Sequence, residues 1–440
     1  MKSSSRLMRL MSLAITVVLT FALTFHISPT EASRPAFDDA PLASTSTPEG
    51  RLAVFDDVWE TIEQRYYDVN FHGIDWQASR ITFRTAAARA NSSREFYEVI
   101  RKMIGPLRDA HTRVYAPEEK FDWWNPRFIT LGFTIREVEG APTVIQVEHS
   151  SEASKKGIRP GDVLTDIDNV PAKQFLNQKL QKPGLASDAS ARFRAIATAL
   201  EGPAGSTVKI DWQSKNGTTK SAQFTRFWNQ RHLGFSSQRS DNFAVIKIDA
   251  FTQSLALELT KALPDIIANT DGIILDLRAN GGGDAEAMAD VVSPFLKDGS
   301  GLGKFVDRTG ASFELHSYLK PMWATSSAIK LPLVILTSES TASAAEIMAA
   351  ALQSKRGGHV IGTETCGCVL AIRSRHTLPD GGVLDVSEFD YRTSDGVRLE
   401  GRGITPDEVT TLRREDLYAG RDRTLELAKS YLARLRKRMH

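Results

Sequence analysis

Apolar positions change their spacing along this chain, and the changes mark out its elements. From Arg51 onward, Val54, Phe55, Val58, Trp59, Ile62 and Tyr66 recur at i, i+3, i+4, the stripe of an amphipathic helix. The helical pattern runs to about residue 119 and predicts a small helical domain over residues 51–120. Beyond Phe243 the spacing differs: short continuous apolar runs at 244–248, 272–277, 332–337 and 359–361 alternate with helical stretches at 255–268, 285–296 and 344–353. Runs of that kind are strands buried on both faces, so residues 226–410 are expected to form an α/β domain. A last helical stretch, 416–437 within a C-terminal segment 411–440, carries charge on most faces and is expected to be a solvated or partner-facing cover.

The first residues have a different logic. Lys2, Arg6 and Arg9 precede an uncharged, mostly apolar run over 10–25, and Thr30-Glu-Ala32 is a small-x-small cleavage signal. Residues 1–32 therefore read as a secretory signal peptide and 33–50, rich in Pro, Ser, Thr and Ala, as a flexible leader. The expectation is a periplasmic or secreted protein, membrane-anchored if the signal stays uncleaved, the apolar run falling slightly short of the roughly 18 residues of a span. Removing the signal takes away three bases and Glu31 and brings the formal net charge from +2 to zero. Nothing in that balance calls for nucleic acid or an anionic surface.

The candidate chemistry centres on Ser343. It stands where the buried-type strand 332–337 gives way to an Ala-rich helix, a junction that exposes a side chain beside the free N–H groups of a helix's first turn. Those donors favour negative charge developing on a carbonyl oxygen, as acyl transfer requires. Ser343-x-x-Glu346 is equally an ordinary capping box, so the motif alone decides nothing.

Its surroundings do more. Together with Asp276-Leu-Arg-Ala-Asn-Gly-Gly-Gly283 upstream and Leu399-Glu-Gly-Arg-Gly-Ile-Thr-Pro-Asp407 downstream, the segment resembles the tail-specific and tricorn-type serine peptidases, from about Arg51 to Asp407. The resemblance implies a ClpP/crotonase-like core, Ser343 as nucleophile, and an oxyanion hole from the N–H groups of Gly282 and Ala344. It implies protein or peptide substrates and no cofactor or metal. Tail-specific relatives use a Ser–Lys dyad supported by a Gln, but Cys368 and Ile372 stand at those two positions, and a thiol and an alkyl chain cannot replace an amine and its orienting amide. The tricorn-type branch instead pairs the serine with a His and a Glu, and His111 in Asp109-Ala-His-Thr112 and Glu400 match them. That arrangement is a Ser-His-acid relay. Ala110 occupies the place of a bridging Ser in tricorn relatives, and His111 read as a structural residue at a helix end remains an alternative.

Residues 128–225 resemble a PDZ domain. Leu131-Gly132-Phe133 is similar to its carboxylate-binding loop, and Gly157-Ile-Arg-Pro-Gly-Asp-Val-Leu-Thr-Asp-Ile-Asp168 to its characteristic turn and strand. Such a loop offers N–H groups to a peptide's C-terminal carboxylate, and the peptide adds to a sheet edge. The bland alternative is a structural spacer. Both cysteines lie in Cys366-Gly-Cys368, close to the expected site. In an exported protein the pair is a candidate redox element, and two small residues packed at a turn is the plain alternative. Taken together, the sequence points to an exported serine endopeptidase. The competing class is a catalytically degenerate relative that binds C-terminal peptides without cutting them. Oligomeric state is not legible.

Overall fold

The computed structural model describes residues 43–119, 127–180, 196, 198–230, 233–297, 301–317 and 329–439. The expected signal peptide and residues 33–42 of the leader lie outside them. The leader is shorter than expected, because Thr47 caps a helix whose first residue is Pro48 (Pro48–Arg65), its hydroxyl accepting from Gly50 N–H. Pro at a first helical position costs nothing, since its missing N–H would have no intrahelical acceptor.

That helix packs with Trp76–Arg89 and Ser93–Ile104 around a core of Phe55, Trp59, Ile62, Phe96, Tyr97 and Ile100, the residues the i, i+3, i+4 stripe singles out at its start. The helical part is not self-contained. Leu378, Leu384 and Val386 from far along the chain enter its core, and Arg113–Tyr115 pairs antiparallel with Val383–Asp385. The pairing fixes the Asp109–Thr112 turn, just before that strand, against the C-terminal half of the molecule.

A ribbon of Arg127–Thr130 and Phe227–Gln230 leads into and out of the β-rich domain. There the main strand order is Phe133–Val138, Ala141–Val147, Val163–Ile167, Thr207–Gln213, Thr219–Thr225, with Val170–Pro171 pairing on Val163–Ile167. Leu131, Phe133, Ile158, Leu164, Trp212 and Phe224 fill its core. Phe133–Val138 is an outer strand of this sheet.

The catalytic core is an α/β layer structure. Its sheet runs Phe235–Ser240, Phe243–Ile248, Gly272–Asp276, Leu333–Thr337, His359–Gly362, Glu408–Val409, antiparallel at the first pair and parallel at the rest. The continuous apolar runs are explained by burial on both faces. Ile273, Leu275, Leu333 and Ile335 face a core with helices Gln253–Ile267, Ala285–Val292 and Ala344–Arg356. Ile274, Val334 and Leu336 point to the other face, against Ala428 and Leu432. The C-terminal stretch covers this face of the sheet and leaves most of its charged residues to solvent. It divides at Gly420, in the left-handed region at φ +64°, into Arg414–Ala419 and Arg423–Met439, and the second helix closes the sheet. Its many charges hide a narrow apolar stripe.

Candidate active site

Ser343 caps helix Ala344–Arg356 in an unusual conformation, φ +55° and ψ −126°. A non-glycine residue there carries strain of order 1–3 kcal/mol and persists only where its surroundings hold it. They do so through the backbone. The Ser343 N–H is shared between the Cys368 carbonyl at 2.9 Å and Glu346 Oε2 at 3.1 Å, and the preceding Ala342 N–H donates to the Asn280 carbonyl at 3.1 Å. Thr341 Oγ1 donates to the Leu277 carbonyl at 2.8 Å and accepts from Ser338 N–H at 3.0 Å, tying the serine loop to the glycine-rich turn.

Glu346 is more than a capping residue. Fully buried, its carboxylate accepts from Thr365 Oγ1 (2.5 Å), Gly367 N (2.7 Å), Cys368 N (2.9 Å) and Ser343 N. Burial pushes its pKa up, opposed by these donors. The capping box that the sequence offered as a bland reading is therefore the element that positions the serine against the 365–368 loop.

The glycine-rich turn meets the serine. Gly282 has φ +103°, and a Cβ there would lie 2.6 Å from Ser343 Cβ and 3.2 Å from Ala344 N, so no side chain fits. The Gly282 N–H donates to Asn280 Oδ1 at 2.8 Å, within its own turn, while Ala344 N–H, first in the helix, has no acceptor among the described residues. Asn280 is completely buried and its amide nitrogen has no hydrogen-bond partner. That residue was part of the quoted motif, but nothing in a one-dimensional reading ranks its amide above the glycines.

Glu400 and the turn that carries His111 come to the same loop. Glu400 Oε2 accepts from Val369 N–H at 2.7 Å and Leu370 N–H at 3.1 Å. Burial raises its pKa to about 7, the two N–H groups oppose the shift, and the Asp109 charge adds to it. The His111 turn is built by Asp109, whose Oδ1 accepts from His111 N–H (2.8 Å), Thr112 N–H (2.6 Å) and the Ser387 hydroxyl (2.8 Å). Ala110, beside His111, packs with Cys366, Cys368 and Ala342. The signal Asp109 carries in the sequence is the general one of Asp at a turn, whose side chain accepts from backbone N–H groups a few residues on. Two further histidines have different surroundings: His376 Nε2 is 2.7 Å from Asp57 Oδ2, and His316 is exposed.

Cys366 and Cys368 form a disulfide, and both are buried. In the β-rich domain, Leu131 and Phe133 are buried core residues, and Gly132 N–H donates to Thr130 Oγ1 at 2.9 Å. Arg136, on the outer strand, reaches the serine loop: its guanidinium donates to Ser340 Oγ at 2.7 Å and contacts Glu339 at 3.3 Å.

A serine at a strand-to-helix turn, with an unpaired helix N–H behind it and a His-bearing turn and a Glu brought to the adjacent loop, defines an acyl-transfer hydrolase of the serine class. Comparisons with known proteins agree. Residues 242–410 match the model of peptidase family S41 and residues 48–105 that of the tricorn protease C1 domain. The chain is 27% identical over 437 residues to carboxyl-terminal-processing peptidase 2, chloroplastic, of Arabidopsis thaliana, covering 92% of this chain and 76% of that protein. It is 28% identical over 369 residues to the carboxyl-terminal-processing protease of Picosynechococcus sp., covering 80% and 81%. Among solved structures, the photosystem II D1 C-terminal processing protease superposes with TM-score 0.53 at 23% identity over 82% of this chain and 92% of that one. Mature CPAF gives 0.66 at 14% over 89% and 97%. The chain is a serine peptidase whose residues 242–410 are similar to peptidase family S41 and whose residues 48–105 are similar to the tricorn protease C1 domain.

Proposed function

We propose that this protein is an exported carboxyl-terminal-processing endopeptidase that cuts polypeptides through an acyl-enzyme on Ser343. The observation that carries the reading is Ser343 itself, held at φ +55° where a strand ends and a helix begins, with the Ala344 N–H unpaired behind it. In this reading Ser343 attacks the scissile carbonyl and His111 takes its proton and returns it to the leaving amine. Glu400 stabilises the imidazolium across the 369–370 backbone, and the Ala344 N–H receives the oxyanion. Gly282 contributes by leaving room for the serine, and by its N–H once Asn280 releases it.

The loop Leu131-Gly132-Phe133 at the start of an outer strand supports the choice of C-terminal tails. A tail adding along Phe133–Val138 has its carboxylate at that loop, as PDZ-type recognition requires. The charged and apolar segments of residues 1–32 support export. Among the described residues no helix is long and apolar enough to cross a membrane. One observation favours the competing reading of a binding protein without turnover: the position of the relatives' lysine is filled by Cys368, closed into a disulfide.

A fluorophosphonate probe applied to the purified protein distinguishes the two. Covalent labelling that disappears in Ser343→Ala, together with peptide hydrolysis that falls to background, is the expected outcome. An unlabelled wild-type protein that still binds peptide acids in preference to amides would establish the binding-only reading.

A further inference from the structure

A cavity of about 390 Å³ lies where the β-rich domain meets the carboxyl ends of the catalytic sheet. One wall is the second half of the outer strand, from Arg136 to Glu139, with Ile196. The other is a row of threonines at strand ends: Thr337 closes one strand, Thr363 follows the next, and Thr410 follows the last. Open α/β sheets bind ligands at this end of their strands.

Two of these hydroxyls are anomalous. Among the described residues Thr363 Oγ1 and Thr410 Oγ1 are buried without a hydrogen-bond partner, and Thr410 is only 7% exposed. Buried hydroxyls are nearly always paired, and a pair of orphans lining one cavity is what a polar occupant would explain. Thr337, by contrast, is satisfied by the Thr363 carbonyl at 3.0 Å.

Charge and geometry narrow the occupant. Among the residues lining the cavity, three carboxylates, Glu137, Glu139 and Glu339, stand against two guanidiniums, Arg136, which contacts Glu339, and Arg278, which is held by Asp276 and Asp422. The surroundings therefore favour a cation or a neutral N–H donor over an anion. A tail whose last residue lies opposite Phe133 and which pairs antiparallel, residue for residue, has its sixth residue from the terminus opposite Val138. Five strand rises of about 3.4 Å take it roughly 17 Å from the carboxylate loop, to the mouth of this cavity.

We infer that the cavity is a second recognition site for the substrate tail, taking a lysine or glutamine side chain about six residues from the C-terminus. The inference rests on the proposed capture of tails by the Leu131-Gly132-Phe133 loop and adds to it a length requirement and a side-chain preference. Tails of four residues can engage the loop and cannot reach the threonines.

Binding to the full-length Ser343→Ala protein tests it, with ten-residue tails carrying Lys, Gln, Ala or Glu at the sixth position from the end, each as acid and as amide. Lys and Gln are expected to tighten binding about tenfold over Ala, a difference of about 1.4 kcal/mol. Glu brings no gain. Thr363→Val and Thr410→Val should erase the gain while leaving the acid-to-amide ratio and the affinity of four-residue tails unchanged. Because each removes a hydroxyl that has no partner, neither should lower the urea midpoint, whereas a purely structural role would lower it. Equal affinity for all four side chains, with acids still preferred over amides, would overturn the second site and leave the loop reading intact. Equal affinity for acids and amides with the Lys gain still abolished by Thr410→Val would keep the cavity and remove the loop. Loss of both preferences would overturn both.

Discussion

Replacing Glu346 by Gln tests whether a buried carboxylate holds the nucleophile in place. The side chain keeps its shape, but one of its two acceptor oxygens becomes an NH₂ donor. All four groups around the carboxylate are donors: Thr365 Oγ1 and Gly367 N on one oxygen, Cys368 N and Ser343 N on the other. If the NH₂ faces Cys368 and Ser343, the Ser343 N–H keeps the Cys368 carbonyl, but the Cys368 N–H is orphaned. If it faces Thr365 and Gly367, the Gly367 N–H is orphaned, and the Thr365 hydroxyl already accepts from Ile404 N–H at 2.7 Å. Either rotamer leaves at least one buried N–H facing another donor, which costs roughly 1–3 kcal/mol. Desolvation of the charge opposes this, since burial pushes the Glu346 pKa up, and a neutral side chain recovers part of that penalty. The donors outnumber what any neutral isostere can satisfy, so a net loss of about 2 kcal/mol is expected in urea unfolding. The Cys368 loop then shifts, and with it the strained Ser343. A displacement near 1 Å at a reacting group costs about 10²-fold, so fluorophosphonate labelling should slow by about ten- to a hundredfold. Unfolding within about 0.5 kcal/mol of wild type together with unchanged labelling would refute the argument.

Three further outcomes are expected. Gly282→Ala places a methyl 2.6 Å from Ser343 Cβ at φ +103°, and should abolish labelling while costing the fold only about 1–3 kcal/mol; a labelled variant would show that the turn does not shape the site. Glu400, raised to about 7 by burial, retains a proton in the native state that the unfolded chain gives up above about 4.5. The unfolded state thus binds fewer protons across that window, and stability falls as pH rises through it, by at most about 3 kcal/mol. Urea unfolding at pH 5 and pH 8 should show that fall in wild type and a smaller one in Glu400→Gln; equal slopes would place the titration elsewhere. Replacing Cys366 and Cys368 together by Ser should leave hydrolysis within about tenfold, roughly 1.4 kcal/mol of barrier, because the 365–368 loop touches Ser343 and Glu346 through backbone groups. Any response to reductant should vanish with the thiols, and a loss as complete as in Ser343→Ala would put a cysteine in the reaction itself.

The positions of the catalytic strands and helices were legible in the sequence because burial on both faces leaves an unmistakable apolar run. The runs at 244–248, 272–277, 332–337 and 359–361 lie within one residue of the observed strands at each end, as Gly272–Asp276 and His359–Gly362 illustrate. Ser343 was legible for a related reason: its place between strand and helix is a local property. The charge of the C-terminal helix is a local property, whereas the contacts of Ala428 and Leu432 with the sheet depend on where the chain returns. Only the tertiary structure could add the rest. Pairing of Arg113–Tyr115 with Val383–Asp385 brings the His111 turn to residues more than two hundred positions away. The four-donor environment of Glu346 and the hydroxyls of Thr363 and Thr410, without partners among the described residues, are likewise relations between segments. Periodicity and local motifs record which face a residue buries. They carry no information about which distant donor, acceptor or charge that face will meet, and the chemistry of this site is set by those meetings.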